Sequence, residues 1–303
     1  MPVIVCLAPS NLSMSWTEEK IRKQAAVYGF TAAFCFAPEE QDGAPDGCRT
    51  LILLVKAYQP GGQLVDRFYP AGNEAYHHAQ AFVRLLSMDM DAWLLSNLHL
   101  KPICTRQPQF GRGLNTLNYL PEIGSRFSLE MVGISEKAET IVNADWNLKC
   151  ASCKKCMLSC PTGAIREDGF VREHCLRNYM LSGKAVPEEY RPYYGIANGA
   201  MGVIGCDVCQ RVCPYNAQIE KKSSQADEFS LSDLLTCNSE TLDRFGRLYG
   251  RNYAIRNRVI AQSLLAAGNS GDSNLLPYIT PLKESQSAAV AEHAAWAEQR
   301  LSK

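Results

Sequence analysis

The chain lacks the features that would carry it out of a reducing compartment or into a membrane. None of its apolar stretches reaches the ~18 consecutive residues of a spanning helix. Its start, Met1-Pro-Val-Ile-Val-Cys-Leu-Ala-Pro, is apolar, but no basic segment precedes it and no twin-arginine pair occurs. The chain therefore reads as cytoplasmic, where thiols stay reduced. Neither sign of charge is in excess, with 31 basic and 31 acidic residues. That balance excludes a strongly basic nucleic-acid footprint over the whole chain while leaving room for a local patch. A complete dinucleotide fingerprint is also missing, because Gly111-Arg112-Gly113 is not followed by the rest of the motif.

What the sequence does have is cysteine. Eight of its 13 cysteines fall within the 64 residues from Cys150 to Cys213. The first four, Cys150, Cys153, Cys156 and Cys160 followed by Pro161, match the C-x2-C-x2-C-x3-C-P run that holds cubane iron–sulfur clusters. A second group, Cys206, Cys209 and Cys213 followed by Pro214, closes the stretch, and Cys175 lies between. Disulfides are disfavoured by the compartment and by a 303-residue length that can build cores without staples. Zinc usually shows two C-x2-C pairs rather than a triple run ending in Cys-Pro. Each iron of a [4Fe–4S] cube takes one thiolate, so eight thiolates serve two cubes. The fourth cysteine of such a run crosses to the other cluster. On that pattern Cys150, Cys153, Cys156 and Cys213 hold cluster 1. Cys160, Cys206 and Cys209 hold cluster 2, leaving a place that Cys175 can fill.

Around this module, the spacing of apolar residues predicts a helix over 17–29, opened by a capping-box-like Thr17-Glu-Glu-Lys20, and a strand over 31–36. A buried strand is expected at Arg49–Val55 and a helix from about Glu74 to Asn97. Pro102–Pro108 reads as a strand, and so does Phe127–Val132. Alternation of helices and strands places residues 1–143 in an α+β class with an α/β-like layer. Residues 144–222 form the cysteine module. Over 223–303, helices at 231–235, 239–249, 256–267 and 288–301 suggest a helical-repeat cap, with Arg244, Arg247, Arg251, Arg256 and Arg258 on a basic face. That face is either a solvated helix surface or an RNA or phosphate contact.

The stretch Cys150 to Asn216 resembles the core of the epoxyqueuosine reductases, cobalamin-dependent iron–sulfur enzymes that finish queuosine in tRNA. The matching runs are Cys160-Pro-Thr-Gly-Ala-Ile165, Pro187-Glu-Glu-Tyr-Arg-Pro192 and Gly205-Cys-Asp-Val-Cys-Gln-Arg-Val-Cys-Pro-Tyr-Asn216. Cys175 falls where that family has its intermediate ligand. Arg256–Ile260, Gly268–Asp272 and Glu292–Trp296 resemble its terminal HEAT-like helices. Tyr69–His77 is similar to a corrinoid-side loop and helix, and Asn115-Thr-Leu to Pro121-Glu-Ile-Gly-Ser125 is similar to the segment lining the family's cobalamin pocket. The resemblance implies a nitroreductase-like N-terminal domain holding cobalamin, with Asn115, Thr116, Ser125 and His77 as cofactor contacts. It further implies a ferredoxin-like two-cluster module relaying single electrons to cobalt, fed by a ferredoxin or flavodoxin-type donor, with tRNA or another RNA as a partner and no membrane. The alternative is an electron-transfer or corrinoid-reducing protein with no substrate of its own.

One departure is chemical. The family carries a proton-donating Asp in a Val-Asp-x-Ala-Pro segment ahead of the Asn-Thr-Leu run, and Pro102–Pro108 contains none. Reductive removal of oxygen needs a proton, so Tyr69, Tyr76, Tyr119 and His77 become the candidate donors. His77 and His78 also suit a plain helix surface. Cys104 is either a packed thiol or a reactive one, and Cys6, Cys35, Cys48 and Cys237 read as packing. Asp207 is expected to hydrogen-bond within its loop. Lys154 and Lys155 flank cluster 1, as solvated charges or as a dock for an acidic electron donor.

Overall fold

A computed structural model describes residues 16–138, 150–180, 182–195, 202–217 and 228–302. Helix α1 (Glu18–Val27) starts where Thr17 accepts a hydrogen bond from the Lys20 N–H at 3.2 Å, the Thr half of a capping box without an acidic residue to complete it. Strands β1 (Ala32–Phe36) and β2 (Thr50–Ala57) follow, then α2 (Phe68–Leu86), β3 (Ala92–Leu94), α3 (Leu100–Arg106), the short pair β4 (Gly111–Arg112) and β5 (Asn118–Tyr119), and β6 (Phe127–Ile134). The four longer strands make one sheet in the order β1-β2-β6-β3, antiparallel at every pairing. The class is thus α+β.

Strand β2 lies inside this sheet and is covered on both faces, which is why its sequence is apolar without alternation. Ile52 and Leu54 pack with Ala75, Ala79, Phe82 and Leu86 of α2. Leu51, Leu53 and Val55 pack with Ile103 and Cys104 of α3 and with Phe110 and Leu120.

Two sequence expectations fail here. The helix expected over 74–97 starts earlier, at Phe68, and stops at Leu86. Residues 92–94 form β3 instead, with Trp93 opposite Gly133 of β6. Nothing local stops the helix, and the open edge of β6 claims Trp93 and its neighbours. The strand expected at 102–108 is helix α3. Pro102 sits in its first turn, where a missing N–H costs nothing, and Gln107, held extended before Pro108, ends it.

Past this layer come α4 (Lys155–Ser159), the small hairpin β7 (Ile165–Arg166) and β8 (Gly169–Phe170), α5 (Leu176–Tyr179) and α6 (Val208–Arg211). The tail adds α7 (Leu231–Thr236), α8 (Ser239–Tyr249), α9 (Arg256–Gly268), α10 (Leu276–Ile279) and α11 (Ala288–Leu301). Helix α9 packs against both α7 and α11, and every residue from Val259 to Gly268 is buried. At the end of α9, Gly268 is needed, because a Cβ there would stand 2.7 Å from Trp296 and 2.8 Å from the Ala297 backbone. One apolar core runs through Leu64 and Tyr69, through Leu176, Val186 and Val203, and into α7, α9 and α11. Buried His293 ties these parts together: its Nε2 accepts the Val186 N–H at 2.9 Å and its Nδ1–H donates to the Ala261 carbonyl at 2.8 Å. Among the described residues, no helix is long and apolar enough to cross a membrane. The expected unit boundaries at 143/144 and 222/223 lie outside the described residues.

Candidate functional site: two cysteine-lined cavities

The module's cysteines surround two cavities in two sets of four. Cys150, Cys153, Cys156 and Cys213 line a small one of about 30 Å³. Cys150 and Cys153 lie in the loop before α4, and Cys156 is in its first turn. That loop bends through Ser152 (φ 50°) and Lys154 (φ 57°), both in the left-handed region. Such backbone costs ~1–3 kcal/mol per residue and concentrates at binding sites, where it lets a short loop wrap its contents. Cys213 arrives from the end of α6, with Pro214 opening a short 3-10 turn behind it.

Cys160, Cys175, Cys206 and Cys209 line the second cavity, which holds about 1010 Å³. That is the top of the ~300–1,000 Å³ range of cofactor and ligand sites. The Ala164 N–H donates to Cys160 Sγ at 3.3 Å, a dipole aimed at the sulfur. Burial pushes the Cys206 and Cys209 thiols up to about 12, so bound iron must displace both protons. Gly205, at φ +100°, lets this loop press on the segment before α2, and a Cβ would stand 2.3 Å from Asp66 Cβ.

Asn115, Leu117 and Ser125 line both cavities and so form the partition between them. The partition is fixed by a buried polar network. Asn216 Oδ1 accepts the Ser125 N–H at 2.8 Å, Gln210 Nε2 donates to the Ser125 carbonyl at 2.8 Å, and Asn216 Nδ2 donates to the Gln210 carbonyl at 2.7 Å. Tyr58, in the large cavity's wall, donates its hydroxyl to Gln210 Oε1 at 3.3 Å.

The other predicted site residues divide. Thr116, in a left-handed conformation at φ 63°, lines the large cavity together with Asn115 and Ser125. His77 and Tyr76 line neither cavity. They stand on the outer face of α2, where Gln80 meets the His77 ring at 3.4 Å and donates to the Tyr76 hydroxyl at 3.1 Å. Tyr69 is buried in the core, its hydroxyl accepting from Arg177 at 3.1 Å. Tyr119 lines the small cavity, stacked on Tyr215 with ring centroids 4.1 Å apart. None of the three tyrosines named as proton donors therefore reaches the large cavity, and Tyr58 does. Tyr58 was missed because it lies in a segment without a motif and reaches the site only when β2 delivers it.

Lys101, Arg112 and Arg177 of the large cavity were missed as well. The one available signal was Arg177, two residues beyond Cys175. Cys104 is fully buried, its thiol pushed up to about 12 by burial, and lines neither cavity, which makes it a packed thiol. Cys35 is likewise buried and pushed up to about 12. Among the described residues no cysteine forms a disulfide, and Cys6 lies outside them. Asp207 makes its ion pairs with Arg126 and Arg211.

Comparisons with known proteins agree with this geometry. Residues 149–216 match the family model of a 4Fe-4S double cluster binding domain. The epoxyqueuosine reductase of Lactococcus garvieae is 29% identical over 162 residues, which is 50% of this chain and 44% of that protein. The chain spans less than half the length of the curated epoxyqueuosine reductases it matches. Among solved structures, the epoxyqueuosine reductase from Streptococcus thermophilus superposes with a TM-score of 0.74 at 16% identity, covering 94% of this chain and 90% of that one. An epoxyqueuosine reductase solved with an epoxyqueuosine-modified tRNA stem loop gives a TM-score of 0.70 at 17% identity over the same shares. At such identities the superpositions establish a shared fold.

Proposed function

We propose that this chain, an epoxyqueuosine reductase-like protein, is an iron–sulfur reductase that passes single electrons from cluster 1 through cluster 2 to a cobalamin in the large cavity. The observation that carries the reading is the shared partition. One set of four thiols faces the small cavity, the other faces the large one, and Asn115, Leu117 and Ser125 separate them. Four thiols per cavity suit one [4Fe–4S] cube each, the second cube opening onto the larger chamber.

The large cavity also fits a corrinoid. Its lining side chains Asn115, Thr116, Asn118 and Ser128 offer donors and acceptors to the amide-fringed rim of such a ring, while Ser125 and Gln210 are held in the partition's own hydrogen bonds. Bound cobalamin would supply low-potential one-electron chemistry at cobalt, which protein side chains cannot. The protein's part is to exclude water with the Phe68 and Phe127 wall, to hold the cofactor against cluster 2, and to keep a proton on the Tyr58 hydroxyl, whose pKa burial raises.

Electrons would enter at cluster 1, where Cys153 is exposed. A ferredoxin or flavodoxin-type donor suits this side. Lys154 is paired with Glu167, so Lys155 offers the freer charge. We further propose the three-part division near 143 and 222, a HEAT-like character for α7–α11, and a cytoplasmic location. An RNA partner is a weaker proposal, since Arg244 and Arg251 of the expected basic face are ion-paired with Glu228 and Asp243.

A second reading, a corrinoid-reducing protein without its own substrate, is favoured by one observation. Among the described residues, no carboxylate lines the large cavity to protonate a substrate.

The experiment is anaerobic reduction of bound cobalamin by a chemical or flavodoxin donor, followed by absorbance. Cys213→Ala removes a cluster 1 ligand, and cobalamin reduction should then stop while cluster 2 remains. Reduction at the wild-type rate in that variant contradicts a relay through cluster 1.

A further inference from the structure

Among the described residues, two buried hydroxyls have no hydrogen-bond partner, those of Tyr119 and Tyr194. A hydroxyl taken out of water is costly unless something answers it. Tyr194 lines neither cavity. Tyr119, which is 2% exposed, lines the small one together with Cys150, Cys153, Cys156 and Cys213.

Tyr119 is held in place by its strand and by a second ring. The β4–β5 pair sets it opposite Gly111. Its ring crosses that glycine so closely that a Cβ at Gly111 would stand 2.1 Å from Tyr119 Cζ and 2.4 Å from its hydroxyl oxygen. The Gly111-Arg112-Gly113 run, which is no dinucleotide motif, thus has another use, since only glycine leaves room for the tyrosine. The second ring is Tyr215, two residues beyond Cys213, stacked on Tyr119 with centroids 4.1 Å and planes 19° apart. Tyr215 lines the small cavity as well.

Burial first, then Tyr215 and the charges of Cys150 and Cys213, push the Tyr119 pKa above the usual tyrosine range. The hydroxyl therefore stays a donor. The small cavity is where sulfur acceptors gather: four thiolates once iron has displaced their protons, and the sulfides of the cube itself.

We propose that the Tyr119 hydroxyl donates a hydrogen bond to a sulfur of cluster 1 and so raises the potential of the cluster at which electrons enter. This rests on the four thiols of the small cavity holding a [4Fe–4S] cube. Reduction adds one negative charge to the cube. A donor aimed at its sulfur stabilises the reduced cube more than the oxidised one. Tyr119 is a tuning residue, not a ligand.

The test uses the full chain, reconstituted without oxygen. Electron paramagnetic resonance follows both clusters through a redox titration. Electron–nuclear double resonance in water and in deuterium oxide detects exchangeable protons coupled to reduced cluster 1. Tyr119→Phe keeps the ring and removes the oxygen. It should retain both clusters and lose one exchangeable coupling. At a fixed potential its reduced-to-oxidised ratio for cluster 1 should fall about three- to tenfold, a midpoint lower by about 30–60 mV at ~59 mV per decade. Cluster 2 should keep its midpoint. Tyr194→Phe, which also removes an unpartnered buried hydroxyl, should leave cluster 1 unchanged. Gly111→Ala displaces the ring without removing the hydroxyl. It should lower the cluster 1 midpoint on its own and add nothing in the Tyr119→Phe background.

An unchanged cluster 1 midpoint or an unchanged proton coupling in Tyr119→Phe overturns the proposal. So does a coupling that survives Tyr119→Phe and disappears in Tyr215→Phe, which assigns the donor to Tyr215. Equal shifts of both clusters in Tyr119→Phe overturn it too, because they mark a general loosening of the module. All three results leave the two-cluster reading standing. Absence of cluster 1 from the reconstituted wild-type protein removes that reading itself, and with it the acceptor.

Discussion

Arg126 and Asp207 join the sheet to the second cluster loop: both terminal guanidinium nitrogens of Arg126 reach Asp207 Oδ2, at 3.3 and 3.2 Å. Arg126 is 1% exposed and directly precedes β6, while Asp207 lies between Cys206 and Cys209 and takes Arg211 as a second partner at 2.9 Å. A buried pair of this kind says little about net stability, but deleting one partner strands the other charge, at a cost of ~3–5 kcal/mol. Asp207→Ala is expected to lose about that much stability in denaturant unfolding and to reduce iron content by about half as cluster 2 is lost. Arg126→Met should cost less, because Asp207 keeps Arg211. Full iron content in Asp207→Ala would show that the pair does not hold the loop.

His293 gives the fold a pH dependence. Burial, which dominates, holds its pKa down from 6.5 to about 4; Arg191 adds to the lowering and Glu292 opposes it. The unfolded chain takes up the proton first as pH falls, so the neutral ring's contribution is complete above about 6.5 and is lost on acidification toward about 4. At ~1.4 kcal/mol per pH unit, the loss approaches ~3 kcal/mol. Unfolding measured by circular dichroism at pH 7 and pH 5 should show wild type losing stability between the two. His293→Gln, which does not titrate, should start lower and lose less. Parallel pH profiles for the two proteins would remove His293 from the explanation.

Two glycines separate the site from the helical tail. Gly205→Ala puts a Cβ 2.3 Å from Asp66 Cβ at φ +100°. The expected loss of about 2–5 kcal/mol combines left-handed strain with overpacking. Cluster 2 should suffer before cluster 1, because Gly205 adjoins Cys206. Gly268→Ala puts a Cβ 2.8 Å from the Ala297 backbone and should cost about 1–3 kcal/mol while leaving both cluster signals intact. Electron paramagnetic resonance of the reduced proteins checks the contrast, which fails if both variants lose the same cluster.

How much of this was readable in the sequence depends on how local each signal is. The even spacing of Cys150, Cys153 and Cys156 and the crossing of Cys160 describe one tight loop. The two cavities carry the same two sets of four thiols that the spacing suggests. Helices α8 and α11 end where their apolar periods end, and β2 declares itself by unbroken burial. The end of α2 was not readable, since only the edge of β6 turns Trp93 into a strand residue. Nor was α3, whose two prolines fit a helix start and a helix stop as well as they fit a strand. The large cavity was least readable of all. Tyr58, Lys101, Arg112 and Arg177 come from four separate segments and meet only through the tertiary fold. The resemblance drew attention to Tyr69, Tyr76 and His77, yet α2 turns the first into the core and the other two outward.

The central claim is that the large cavity holds a corrinoid against cluster 2. Anaerobic titration of the reconstituted protein with cob(II)alamin, followed by electron paramagnetic resonance, addresses it directly. Saturable binding at one site per chain, with a changed cobalt signal, is the expected result, and Asn115→Leu in the partition should weaken it at least tenfold. Intact cluster spectra with an unaltered free-cobalamin signal throughout would contradict the claim and leave a two-cluster electron carrier.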